Sequence, residues 1–94
     1  MRILAIVFTM LLVASNAGAF NEIHLKKLLY FNDCENCDLS GAYLHKAKLR
    51  GANLMEAKLV GADLRLAKMK NTYIKGAIFC KTKMPWGVDN SGCK

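Results

Sequence analysis

A chain of 94 residues has room for one small domain, which excludes a multidomain architecture. Its net charge of +7 favours anionic partners such as lipid headgroups, acidic polymers or nucleic acid. The apolar share of 53% is raised by one segment at the start of the chain.

That segment opens with the positive pair Met1 and Arg2, runs through the uncharged stretch Ile3 to Val13, and ends on the small residues Ala17-Gly18-Ala19. This order is that of a secretory signal peptide covering 1–19, cleaved after Ala19. A membrane anchor fits less well, because spanning the hydrocarbon core takes roughly 20 apolar residues. No cysteine follows closely enough to accept a lipid. The expected address is therefore exported, either periplasmic or secreted. Losing Arg2 with the leader removes one positive charge and leaves the remainder basic. Beyond an export membrane nucleic acid is a disfavoured partner, and lysines also keep an Ala/Leu-rich chain in solution.

Residues 20–33 form the next unit. Ile23, Leu25, Leu28 and Leu29, with Lys26-Lys27, fit one and a half to two amphipathic helical turns. The expected role is an N-terminal cap. A membrane-surface helix is the competing reading, weakened by the short length and loose pattern.

From Cys37 the chain reads in fives: CDLSG AYLHK AKLRG ANLME AKLVG ADLRL AKMKN TYIKG AIFCK TKMPW. The third positions are Leu39, Leu44, Leu49, Leu54, Leu59, Leu64, Met69, Ile74, Phe79 and Met84, all large and apolar. The first positions are Cys37, Ala42, Ala47, Ala52, Ala57, Ala62, Ala67, Thr72, Ala77 and Thr82, all small. Neither the helical period nor strand alternation gives a step of five. A coil does, if each block is one side and the chain turns at each block boundary. The large residue then points at the axis, with the small one beside it. Gly41, Gly51, Gly61 and Gly76 fall at block ends, where a tight turn favours glycine.

The blocks Ala52-Asn53-Leu54 and Ala62-Asp63-Leu64 carry the A-(D/N)-L pattern without substitution. From about Asp33 to Trp86 the chain resembles the pentapeptide-repeat family. The resemblance implies an all-β solenoid, a right-handed quadrilateral β-helix of about two and a half coils with one block per side. Residues twenty apart then stack, giving ladders Leu39–Leu59–Phe79, Leu44–Leu64–Met84, Leu49–Met69 and Leu54–Ile74. The solenoid is expected over 34–86. Some family members imitate DNA with an acidic rod; a short, basic, exported chain departs from that picture.

At the far end Pro85 breaks the period, Trp86 is positioned to lie over the last ladder, and 87–94 reads as a loop leading to Cys93. Cys34, Cys37, Cys80 and Cys93 suggest a disulfide framework in a small exported chain. Four cysteines allow three connectivities. Cys34–Cys37 and Cys80–Cys93 is the predicted pair, one bridge at each end, since a link between ends would span too far. A free buried Cys37 thiol is the alternative.

No catalytic or metal constellation is visible, and no cofactor is expected. The Cys34-x-x-Cys37 motif lacks the strand-to-helix setting of a redox site, and Cys80 and Cys93 are too far apart for a second zinc knuckle. His45 follows an inward leucine and is expected on the surface. The carboxylates, Asp63 among them, show no acid–base pairing. The remaining signal is charge. Blocks Ala47–Gly51 and Ala67–Asn71 stack on one side, so Lys48, Arg50, Lys68 and Lys70 share one wall without an acid. The expected function is a non-enzymatic exported scaffold or binding module using that rigid wall, with a protein or an anionic surface as partner. The alternative is a small regulator or stabiliser of another exported protein, docking through a coil end.

Overall fold

The structure is a computed structural model that describes residues 20–94. The expected leader at 1–19 lies outside the described residues.

Helix α1 (Glu22–Phe31) is close to three turns, longer than the apolar pattern suggested. Its ends explain the difference. The Asn21 side chain caps the start by accepting from the Ile23 and His24 amides. Asn32 ends it in the left-handed conformation, donating its amide to the Leu28 carbonyl. Both caps are polar residues outside the apolar stripe. Leu28 is the helix's buried residue and joins the main core.

The helix also covers one end of the repeats. The Asn21 amide donates to the Asp38 carbonyl, and the Asp38 amide donates to His24 Nδ1 at 2.9 Å. A neutral acceptor nitrogen is needed there, so Nδ1 carries no proton in this arrangement. Helix and imidazole together supply partners that a preceding strand would have offered.

The repeats run as isolated parallel bridges between residues twenty apart: Asp33↔Asn53, Asp38↔Lys58, Tyr43↔Asp63, Lys48↔Lys68, Asn53↔Tyr73, Lys58↔Ile78 and Asp63↔Lys83. Each bridge sits at the second position of a block. The adjacent Leu amide donates up to the neighbouring pass, as in Leu39 to Lys58 O and Leu59 to Ile78 O. Repetition of these bonds makes this a β-helix-type fold, although only short strands form. The first bridge belongs to a block, 32–36, upstream of the series that the sequence displayed. There Cys34 stands where the other blocks carry a large apolar residue.

The corners from Cys34–Cys37 to Ile74–Ala77 are built alike. The first-position amide donates back to the third-position carbonyl, as Ala52 does to Leu49 and Ala62 to Leu59. The intervening fifth-position residue is left-handed, as a type II turn requires. This holds for Gly41, Gly51, Gly61 and Gly76, and also for Asn36, Lys46, Glu56, Leu66, Asn71 and Lys81, with φ from 53° to 77°. The conformation is thus a property of the position, not of glycine. A residue bearing Cβ gives up about 1–2 kcal/mol there, while glycine's extra unfolded-state freedom returns about 0.5–1 kcal/mol. Leu66 is exposed at such a corner. Leu66→Gly should therefore raise stability by about 0.5–1 kcal/mol in a urea titration. A loss of stability would contradict this account of the corners.

Inside, the third-position residues from Leu39 to Leu64, with Phe79 and Met84, are buried; Met69 and Ile74 are only half-buried. The alanines at 42, 52, 57, 62 and 67 are buried beside them. At two late blocks threonine takes the small site, and its hydroxyl donates to a carbonyl of the previous pass: Thr72 to Leu49 O and Thr82 to Leu59 O.

The C-terminal end departs from expectation. Pro85 and Trp86 do not simply end the pairing. They form the turn of a hairpin, β1 (Thr82–Met84) with β2 (Gly87–Asp89), antiparallel and in register Lys83↔Val88. Trp86 sits at the tip, 66% exposed, and does not cover the last ladder. Strand β2 lies beside β1, and the Gly92 amide reaches the Phe79 carbonyl. The Lys81 amide is taken by the Asn90 side chain. These groups close part of the final pass.

Cysteines 34 and 37 are paired, as are 80 and 93, with Cα separations of 5.1 and 4.8 Å. The first bridge is buried across one corner turn; the second holds the C-terminal tail against the last pass.

Candidate anion-binding wall

Block 47–51 lies directly against block 67–71. Lys48 and Lys68 are bridge partners, the Leu49 amide donates to Lys68 O at 2.8 Å, and the Lys68 amide donates to Ala47 O at 2.9 Å. The Gly51 amide donates to Lys70 O at 3.1 Å, which aligns the second halves of both blocks. With Leu49 directed into the core, Lys48, Arg50, Lys68 and Lys70 are all exposed. Three of them, Lys48, Arg50 and Lys68, line a shallow concavity of about 230 Å³; Lys70 is on the same wall but not at that recess.

Among the described residues the ion pair present is Asp63–Arg65, at 2.8 Å, and it uses none of the four wall cations. Asp63 also shows why Asp or Asn recurs at second positions. Its Oδ1 accepts the amide of Arg65, as Asp38 accepts that of Ser40 and Asn53 that of Met55. At these three blocks the side chain thus closes a small turn at the approach to the corner. Sequence reading passed over this role, though the recurrence of D and N was its signal.

The Arg65 guanidinium, hydrogen-bonded to both carboxylate oxygens, holds Asp63 down to about 2 from 3.8. A depressed carboxylate stabilises the fold fully above its unfolded value, and this contribution fades as pH falls through the folded value. Arg65 is 56% exposed, so screening keeps the pair weak. Asp63→Asn retains the turn acceptor and should lower the melting temperature slightly at pH 7. The gap from wild type should close between pH 3.8 and about 2. A gap unchanged across that window would show that the pair contributes nothing.

His45 is half-buried rather than fully solvated, stacked on Tyr43 with ring centroids 5.7 Å apart. Among the described residues no cluster of His, Cys, Asp or Glu could hold a metal ion. No helix among them is long and apolar enough to cross a membrane.

Five-residue blocks that return beside themselves every twenty residues define a repeat protein. The family described as Pentapeptide repeats matches residues 33–55 and 52–84 in eight copies, and the chain belongs to that family. Neither a curated protein nor a solved structure gives a significant match.

Proposed function

We propose that this chain is a non-enzymatic binding module, exported from the cell, that captures an anionic partner on the wall of Lys48, Arg50, Lys68 and Lys70. The observation that carries the reading is the recess lined by Lys48, Arg50 and Lys68. Lys48 and Lys68 face each other in a bridge, where like charges are mildly destabilising. A bound anion reverses the sign of that interaction. The scaffold proposed beneath the wall is a right-handed, four-sided solenoid over 34–86, with a cap at 20–33 and a closing segment at 87–94. A return every twenty residues supports four sides of five, and the hand follows the family. Export with removal of 1–19 is supported by the paired cysteines, since disulfides persist in oxidising compartments.

Lys48→Glu with Lys68→Glu should weaken capture on immobilised polyphosphate by at least about tenfold, corresponding to about 1.4 kcal/mol. The substitution replaces one like-charge pair with another on an exposed surface, so the melt should stay nearly unchanged. Binding indifferent to both salt and the double substitution would rule the wall out.

A second reading, docking through a coil end, has one observation in its favour. Met69 and Ile74 are half-buried, and their amides donate to no backbone carbonyl among the described residues. That reading expects Ile74→Asp to release a partner that the wall variant retains.

A further inference from the structure

The helix that caps the repeats keeps large apolar side chains in solvent. Ile23, Tyr30 and Phe31 are 75%, 76% and 75% exposed, and Leu29 is exposed as well. Ile23, Lys26, Lys27 and Tyr30 stand at i, i+3, i+4 and i+7, on one face of α1. Leu28, which plugs the core, is on the other. Two lysines therefore flank an apolar ridge that the fold leaves unused.

The C-terminal end of this helix adjoins the block that carries half of the basic wall. Asn32, next to Phe31, donates from Nδ2 to the Arg50 carbonyl at 3.0 Å. The helix end is thus tied to the block that carries Lys48 and Arg50.

We infer that this joined surface docks on an anionic lipid bilayer, with Ile23, Tyr30 and Phe31 entering the interface while Lys26, Lys27 and the wall of Lys48, Arg50 and Lys68 engage headgroup phosphates. The inference rests on the anion-binding reading of the wall and names its partner. Charge complementarity selects the bilayer: Lys26 and Lys27 outnumber Glu22 on α1, and the chain stays basic after Arg2 is lost with the leader. Interfacial binding adds buried apolar area to attraction for anionic lipid, and a tyrosine suits the headgroup level. The helix is too short to span, so the attachment is peripheral and reversible.

The test is flotation of the chain, as recovered from the exported fraction, with phosphatidylglycerol-containing vesicles and with pure phosphatidylcholine vesicles. Binding is expected to the first and not to the second, and to weaken with salt. Ile23→Ser with Phe31→Ser should lower anionic-vesicle binding by about tenfold or more, leaving the melt and polyphosphate binding unchanged. Lys48→Glu with Lys68→Glu should lower both kinds of binding. Tyr30→Trp in a Trp86→Phe background should show blue-shifted emission on anionic vesicles. Vesicle binding equal in wild type and the serine variant overturns the inference. So does emission that stays unshifted, or capture of an acidic protein without vesicle binding. Polyphosphate binding that survives while vesicle binding is absent defeats the membrane inference and leaves the anion-binding wall standing. Loss of both in the wild type defeats both.

Discussion

A single residue inserted between Val60 and Gly61 should abolish cooperative folding of the repeats, whereas a second copy of 42–61 inserted after Gly61 should be accepted. The bridges Tyr43↔Asp63, Lys48↔Lys68, Asn53↔Tyr73 and Lys58↔Ile78 all join a residue before the insertion to one after it. One extra residue moves each partner off by one position. Keeping the backbone bonds would then turn Leu64, Met69, Ile74 and Phe79 out of the core and drive polar neighbours in. Keeping the core would break the bonds from Leu44, Leu49, Leu54 and Leu59 to the next pass. Neither compromise is local, because each pass is held by its neighbours. Twenty added residues restore the register and add one more pass with its own buried leucines. Circular dichroism melts of both variants decide the point. An insertion variant that melts like wild type would remove the five-residue coil altogether.

Most of the core was legible because its signal is a strict spacing of residue types. Large residues at third positions and small ones at first positions fit a β-helix-type fold, and the twenty-residue return of the bridges follows once four sides of five are assumed. The stacking of block 47–51 on block 67–71 followed from the same arithmetic; that the wall binds an anion is a proposal. The losses have physical causes. Block 32–36 fell within the expected repeat region but not within the five-residue series, because Cys34 fills the leucine site and a cysteine does not register as part of an apolar ladder. The corner conformation was hidden because Lys46, Glu56 and Leu66 adopt a backbone state that composition assigns to glycine. Helix length was underread because Asn21 and Asn32, which set it, are polar caps outside the apolar stripe. Trp86 was misplaced because a lone aromatic beyond the last repeat suggests a lid. The Pro85-Trp86 turn instead carries it outward and leaves β2 and the tail to cover that side. The exposed ridge of α1 was only half legible, entering as the competing membrane-surface reading: the pattern showed apolar residues but not which of them the core would take.

Leu59→Ala should cost about 2–5 kcal/mol, a large share of what a domain this small holds in reserve. Leu59 is fully buried, and the register places it between Leu39 on one side and Phe79 on the other. Its amide and carbonyl are also engaged, donating to Ile78 and accepting from Ala62 and the Thr82 hydroxyl. The neighbouring backbone is therefore held in place and cannot close in on the vacated space. Met69→Ala removes a side chain of similar size from the same position of another block. Met69 is only half-buried and lies on the last pass, with Leu49 behind it and no bridge beyond it among the described residues. Solvent can fill what is removed, so that substitution should cost roughly a third to a half as much, about 1–2 kcal/mol. Urea titrations of both variants at one temperature give the comparison. Equal losses would mean that stacking on both sides does not govern stability in this fold. A larger loss at Met69 would mean that the C-terminal end is covered by something that seals it better than the hairpin does.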